Sequence, residues 1–110
     1  MQAAGSIERR VTARARLAKP LWLNKYIEGH PYLAELLDVS EDGLLIRIIR
    51  EPLNQEDSFP LELGVPGTPH RMWLWARSVR RVGETQAVRV SYADMLERAQ
   101  LRQLVRWNAA

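Results

Sequence analysis

Two short clusters hold residues whose chemistry could serve a ligand. The first is Arg10-Val11-Thr12-Ala13-Arg14, with Arg9 directly ahead of it and Arg16 two residues on, so four guanidinium groups fall within eight residues. Arginine stays charged at any physiological pH, forks onto phosphate oxygens through paired N–H groups, and stacks on flat rings as lysine cannot. The second is Asp38-Val39-Ser40-Glu41-Asp42-Gly43, an Asp-x-Ser-x-x-Gly pattern. An ionised Asp38 only accepts hydrogen bonds, Ser40 donates or accepts, and Gly43 is free to take the positive φ that a tight strand connection often needs. Each cluster also has a structural use on its own: Asp38 can cap a turn, and Arg10 can pair with Glu8.

The second cluster sits between two apolar runs, which makes it the turn of a hairpin. Tyr32 to Val39 reads as an extended segment leading in, and Leu44 to Ile49 leads out with Leu44, Ile46 and Ile48 on one face by period two. Upstream, Ala15 to Asn24 reads as a first strand in which Pro20 marks an edge or a bulge, because proline donates nothing to a ladder. Tyr26 to Pro31 reads as a connection. Downstream, Glu51 to Ser58 is a polar loop, Phe59 to Val65 a short strand, and Pro66-Gly67-Thr68-Pro69 a turn. Arg71 to Val82 then turns at Gly83-Glu84 into Gln86 to Tyr92, where Val88, Val90 and Tyr92 share a face.

The last segment differs in kind. Asp94 followed three residues later by Glu97 is a capping box, and no glycine or proline interrupts the run to Trp107. A helix over about 94–107 is expected, with Leu96, Leu101, Leu104, Val105 and Trp107 on the half that covers a barrel mouth and Arg98, Arg102 and Arg106 on the wet half. Six short antiparallel strands over about 15–92, closed by this helix, amount to an all-β barrel with few free edges. Residues 1–8 read as a flexible lead-in and 9–110 as a single domain, since 110 residues support one modest core.

Composition narrows the chemistry. A hydrophobic fraction of 46% with 26% charged residues is that of an ordinary folded chain. There is no cysteine, which excludes disulfides, thiolate metal sites and thiol nucleophiles. The two histidines, His30 and His70, each neighbour a proline in a loop and form no metal-binding pattern, so no metal or other cofactor is expected. No stretch approaches the roughly 20 apolar residues of a membrane span, and the N-terminus lacks the charged start and apolar centre of a signal peptide, so the expected location is the cytoplasm. Of sixteen cations, fourteen are arginine, and the net charge is +3. No Ser-His-acid elbow and no glycine-rich phosphate loop is present, which points to a binding module and not an enzyme.

At their spacing and in this order along the chain, Arg10-x-x-x-Arg14 and Asp38-x-Ser40-x-x-Gly43 resemble the signature of PilZ domains, bacterial receptors for cyclic di-GMP. The resemblance spans almost the whole chain and implies a six-stranded antiparallel PilZ-like barrel with a C-terminal helix. It assigns Arg10 and Arg14 to the phosphates and guanines of the ligand. Asp38 and Ser40 would meet guanine edges, Gly43 would shape the turn, and Arg9 would be an auxiliary contact. It further implies that the arginine-rich segment orders over the ligand and that the signal passes to a partner protein, with the domain a monomer or a dimer. Two rivals stand beside this reading. A sequence pI near 9.8 with many arginines also suits a barrel that binds single-stranded nucleic acid. PilZ-like adaptors that bind protein without ligand generally lack one of the two motifs, and this chain has both. Trp73 and Trp75 alternate with Arg71 and Arg77 along one strand face, an aromatic and basic platform if that face is outward, with core packing expected for at least one indole.

Overall fold

The computed structural model describes residues 14–108 except positions 54, 65 and 68. Arg9 and Arg10, together with the expected lead-in 1–8, lie outside the described residues. Six strands follow in order: β1 (Arg14–Ile27), β2 (His30–Ser40), β3 (Gly43–Ile48), β4 (Ser58–Gly64), β5 (Arg71–Val82) and β6 (Thr85–Tyr92). One helix, α1 (Met95–Asn108), comes after them. The strands close into an antiparallel barrel in the spatial order β1-β2-β3-β6-β5-β4, with β1 pairing β4 through Leu23 with Leu63 and Lys25 with Leu61.

Alternation along each strand is what closes the core. Leu44, Ile46 and Ile48 of β3, Phe59, Leu61 and Leu63 of β4, and Met72, Leu74 and Ala76 of β5 all point inward and are buried. Every second residue of β5 therefore faces out, which puts both Trp73 and Trp75 on the surface, each a little under half exposed, with Arg71 and Arg77 beside them. The packing role expected for one indole is not realised, because Met72 and Leu74 occupy the inward positions.

The β1–β2 ladder extends further than the sequence suggests. Its strands pair as far as Ile27 with His30, and only Glu28 and Gly29 form the turn, at φ 53° and 80°. A two-residue turn with both residues at positive φ matches the twist of the flanking strands, so the ladder runs on through the segment expected to be a longer connection. Pro20 lies in a bulge, as expected. Arg16 pairs with Asp38 and Leu21 with Leu36, so four residues of β1 oppose the single Leu37 of β2.

One inward position is not apolar. Lys25, between Leu23 and Ile27 on the inner face of β1, is 1% exposed. Its Nζ donates to Glu51 Oε2 at 3.2 Å and Gln86 Oε1 at 3.0 Å and lies 4.3 Å from the centre of the Phe59 ring. Glu51 also pairs with Arg81, and Gln86 Nε2 donates to Ser78 Oγ at 2.9 Å. Burial lowers the Lys25 pKa, with Arg81 adding to the effect and Glu51 opposing it.

The helix packs on β1, β2 and β5 through Leu101, Leu104 and Val105. Leu96 and Trp107, expected on the same half, are exposed instead. At about 100° per residue they lie well over 100° around the axis from Leu101, too far to share its face. The capping box is formed: Asp94 Oδ1 accepts from Glu97 N at 2.8 Å, and Glu97 Oε1 accepts from Asp94 N at 3.0 Å. Asp94→Ala is expected to cost about 1 kcal/mol and lower the melting temperature by roughly 4 to 8 °C; an unchanged melting curve would contradict this.

Candidate functional site

The Asp-x-Ser-x-x-Gly segment forms the β2–β3 turn, and Ser40 organises it. Ser40 is buried, its Oγ accepts from Gly43 N at 3.0 Å, and its single proton can go to Asp42 Oδ1 or to Gly43 O, each at 3.0 Å. The hydroxyl is committed to holding the turn. Asp38 takes no part in this capping. Asp42 O accepts from Val90 N at 2.9 Å, which ties the turn to β6.

Glycine suits position 43 for a different reason from the one expected. Its φ is not in the left-handed region, but a Cβ there would sit 3.2 Å from the Val88 carbonyl oxygen and 3.6 Å from Ser40 Oγ. The close approach of β6 to the turn is what favours glycine. Gly43→Ala is therefore expected to shift β3 against β6 by a few tenths of an ångström and to destabilise by roughly 1 kcal/mol. A thermal melt with no loss would show that β6 yields freely.

Around this turn the outer face of the barrel presents an arginine-bearing groove of about 510 Å³, lined by Arg14, Ser40, Asp42, Gly43, Val79 and Arg89 among others. Register explains the convergence: Arg14 lies opposite Ser40, Gly43 opposite Arg89, and Arg89 opposite Arg77. Arg14 and Arg89 are exposed, and neither forms an ion pair among the described residues. Three of the residues singled out from the sequence, Arg14, Ser40 and Gly43, thus meet at one place. Asp38 stands two residues before Ser40 on β2, half-buried, opposite Arg16 on β1 and Leu45 on β3. It does not line the groove and makes no hydrogen bond or ion pair among the described residues. Arg89 and Asp42 are additions that the structure makes. Arg89 is flanked by the inward-facing Val88 and Val90, so the alternation that buries the valines aims it outward.

Such a groove suits an anion. The guanidinium groups of Arg14 and Arg89, brought to one groove from β1 and β6 across the β2–β3 turn, can fork onto two separate oxyanions, and the carboxylate of Asp38, without a partner among the described residues, can accept from ring or amine N–H groups. Among the described residues no group of three or more His, Asp or Glu side chains is placed to hold a metal ion.

The turn also touches the helix. Arg102 of α1 donates to Glu41 Oε1 at 3.0 Å, so the segment from Asp38 to Gly43 is in contact with the C-terminal element.

No family model matches the sequence, and no curated protein does. Among solved structures the barrel superposes on the PilZ domain with c-di-GMP of YcgR from Escherichia coli, at a TM-score of 0.69, over 91% of this chain and 91% of that one, with 14% identity. The fold is PilZ-like. A second similar structure is the Bacillus subtilis inhibitor of motility MotI/DgrA, with a TM-score of 0.70 and 15% identity. That match covers 87% of this chain but 49% of MotI, so this PilZ-like barrel corresponds to about half of it. The uncharacterized Legionella protein Lpg0364 matches at a TM-score of 0.57 and 13% identity, over 86% of this chain and 90% of that one. No helix among the described residues of the PilZ-like chain is long and apolar enough to cross a membrane.

Proposed function

We propose that this chain is a receptor for cyclic di-GMP that acts through a partner protein. One observation carries the reading: Arg14, Ser40 and Gly43, drawn from the two motifs, converge with Arg89 on a single outer groove beside Asp38. The ligand has two phosphodiester charges and two guanines. Arg14 and Arg89 would take phosphate oxygens or the O6 and N7 edge of a guanine, while Asp38, without a partner among the described residues, would accept from guanine N1 and N2. Arg10 would supply the second guanidinium of its motif, with Arg9 as an auxiliary contact. Closure of the segment bearing Arg9 and Arg10 over the ligand would alter the surface offered to the partner, and hydrogen exchange of that segment is expected to slow on ligand addition. The PilZ domain of YcgR with c-di-GMP supports the choice of ligand through a shared fold.

Calorimetric titration with cyclic di-GMP tests the reading, with GTP, cyclic GMP and a short single-stranded oligonucleotide as controls. Selective heat with the dinucleotide is expected. Equal response to the oligonucleotide, falling steeply with salt, would transfer the groove to nucleic acid, and no heat from a folded sample would remove the receptor reading.

A further inference from the structure

A second groove, of about 300 Å³, lies around the outward indoles of β5. Trp75 stands opposite Pro60 of β4 on one side and Tyr92 of β6 on the other, and Trp73 continues the surface along β5. Tyr92 is more exposed than either indole. Asp94 and Glu97, from the start of α1, form the rim.

The charge on this rim is the informative part. Glu97 uses both carboxylate oxygens as hydrogen-bond acceptors, Oε1 from Asp94 N and Oε2 from Trp73 N at 3.2 Å, and is thereby held over the groove. Among the described residues Asp94 Oδ1 accepts from Glu97 N alone. Backbone N–H groups leave the carboxylates their full negative charge. Neither is paired with a cation among the described residues, in a chain that has fourteen arginines. Of the arginines that share the outer face of β5, Arg71 is held by Glu62 at 2.8 Å, and Arg77, the next outward residue after Trp75, stands opposite Arg89 and outside the lining of this groove.

Aromatic faces attract cations through the ring quadrupole, indole most strongly, and two unpaired carboxylates add to the same preference. They oppose an anion, so although Arg71 and Arg77 share the outer face of β5, the groove around the indoles is lined by carboxylates and not by arginines. We propose that the Trp73–Trp75–Tyr92 groove docks an arginine- or lysine-bearing segment of a partner protein. The cation lies against Trp75, and its charge is met by Asp94 and Glu97. The inference does not depend on what fills the groove at the β2–β3 turn.

The experiment is an NMR titration of the ¹⁵N-labelled full chain with a blocked hexapeptide of alternating glycine and arginine. The indole N–H signals are assigned from Trp73→Phe and Trp75→Phe, and a hexapeptide of glycine and glutamate serves as the control. The indoles of Trp73 and Trp75 are expected to shift with the arginine peptide while those of Trp22 and Trp107 stay in place. Asp94→Asn with Glu97→Gln keeps the helix cap, because both replacements still accept the capping N–H groups, and is expected to weaken binding about tenfold. The dispersion of the same spectra reports whether that variant is folded. The proposal is overturned by equal shifts of all four indoles, by equal response to the glutamate peptide, by undiminished affinity of the neutralised variant, or by no shift up to roughly 10 mM peptide. Cyclic di-GMP that shifts both Trp73 and Trp75 and abolishes their response to the arginine peptide would give the groove to the nucleotide and overturn it too.

Discussion

Replacing Arg10 and Arg14 together by alanine is expected to abolish the heat of cyclic di-GMP binding. Hydrogen bonds to a charged group are worth about 1.5 to 3 kcal/mol each, so either single change should weaken binding by roughly 10 to 150-fold, and the two combined carry the affinity beyond calorimetric reach. Arg14 is exposed at the start of β1 and unpaired among the described residues, so its loss costs the fold little. Arg14→Lys is a sharper version of the same test. It keeps the charge but not the planar fork, and it should bind measurably worse than the parent chain. Affinity that survives the double change would place the ligand, if there is one, elsewhere on the barrel.

The largest effect on stability is expected from Glu51→Gln. Glu51 is the counter-charge for both Lys25 and Arg81, and removing it leaves two cations that shared one carboxylate without it. Breaking a buried pair by deleting one partner costs about 3 to 5 kcal/mol, which corresponds to a fall in melting temperature of at least about 12 °C. The loss should shrink with rising pH. Burial lowers the Lys25 pKa from its ordinary 10.5, so between the lowered value and 10.5 the unfolded chain binds more protons than the folded one, and stability rises with pH across that window. Without Glu51, which opposes the lowering, the window reaches further down, and the variant should recover more than the parent. Urea denaturation of both proteins at pH 7 and 9.5 checks this, and an equal gap at the two pH values would contradict it. Staying below pH 10 avoids Tyr26, whose pKa burial and the Glu62 charge raise from 10.0 and whose ionisation works in the opposite direction.

Much of this fold could be read from the chain because alternation is a local signal. The β2–β3 hairpin, the bulge at Pro20 and the capped helix each follow from residues within a few positions of one another. What escaped depends on neighbours distant in sequence. Lys25 looks like a polar interruption of an apolar strand, and only the arrival of Glu51 from the β3–β4 connection and Gln86 from β6 makes it an inward residue. The indoles of β5 were ambiguous for another reason. Met72, Leu74 and Ala76 form one face and Trp73 and Trp75 the other, and period two alone does not say which set faces in. At the candidate site, the two motifs named Arg14, Ser40 and Gly43, but Arg89 joins them only through the pairing of β6 with β3. Gly43 can be singled out from the turn pattern, but the backbone oxygen that crowds it belongs to another strand and is invisible in the local sequence.

The closed ring of strands has a consequence for how such a protein can change over time. With β1 joined to β4 at Leu23–Lys25, every described strand has a neighbour on both sides, and the outward side chains are the largest surface open to a partner or ligand. The outward and inward residues interleave as two separate texts written on one backbone. The inward text need only remain apolar and well fitted, and the outward text can be rewritten without disturbing it. One barrel can therefore be turned to new molecular conversations by exchanging alternate letters, which makes the architecture easy to inherit and its vocabulary easy to replace.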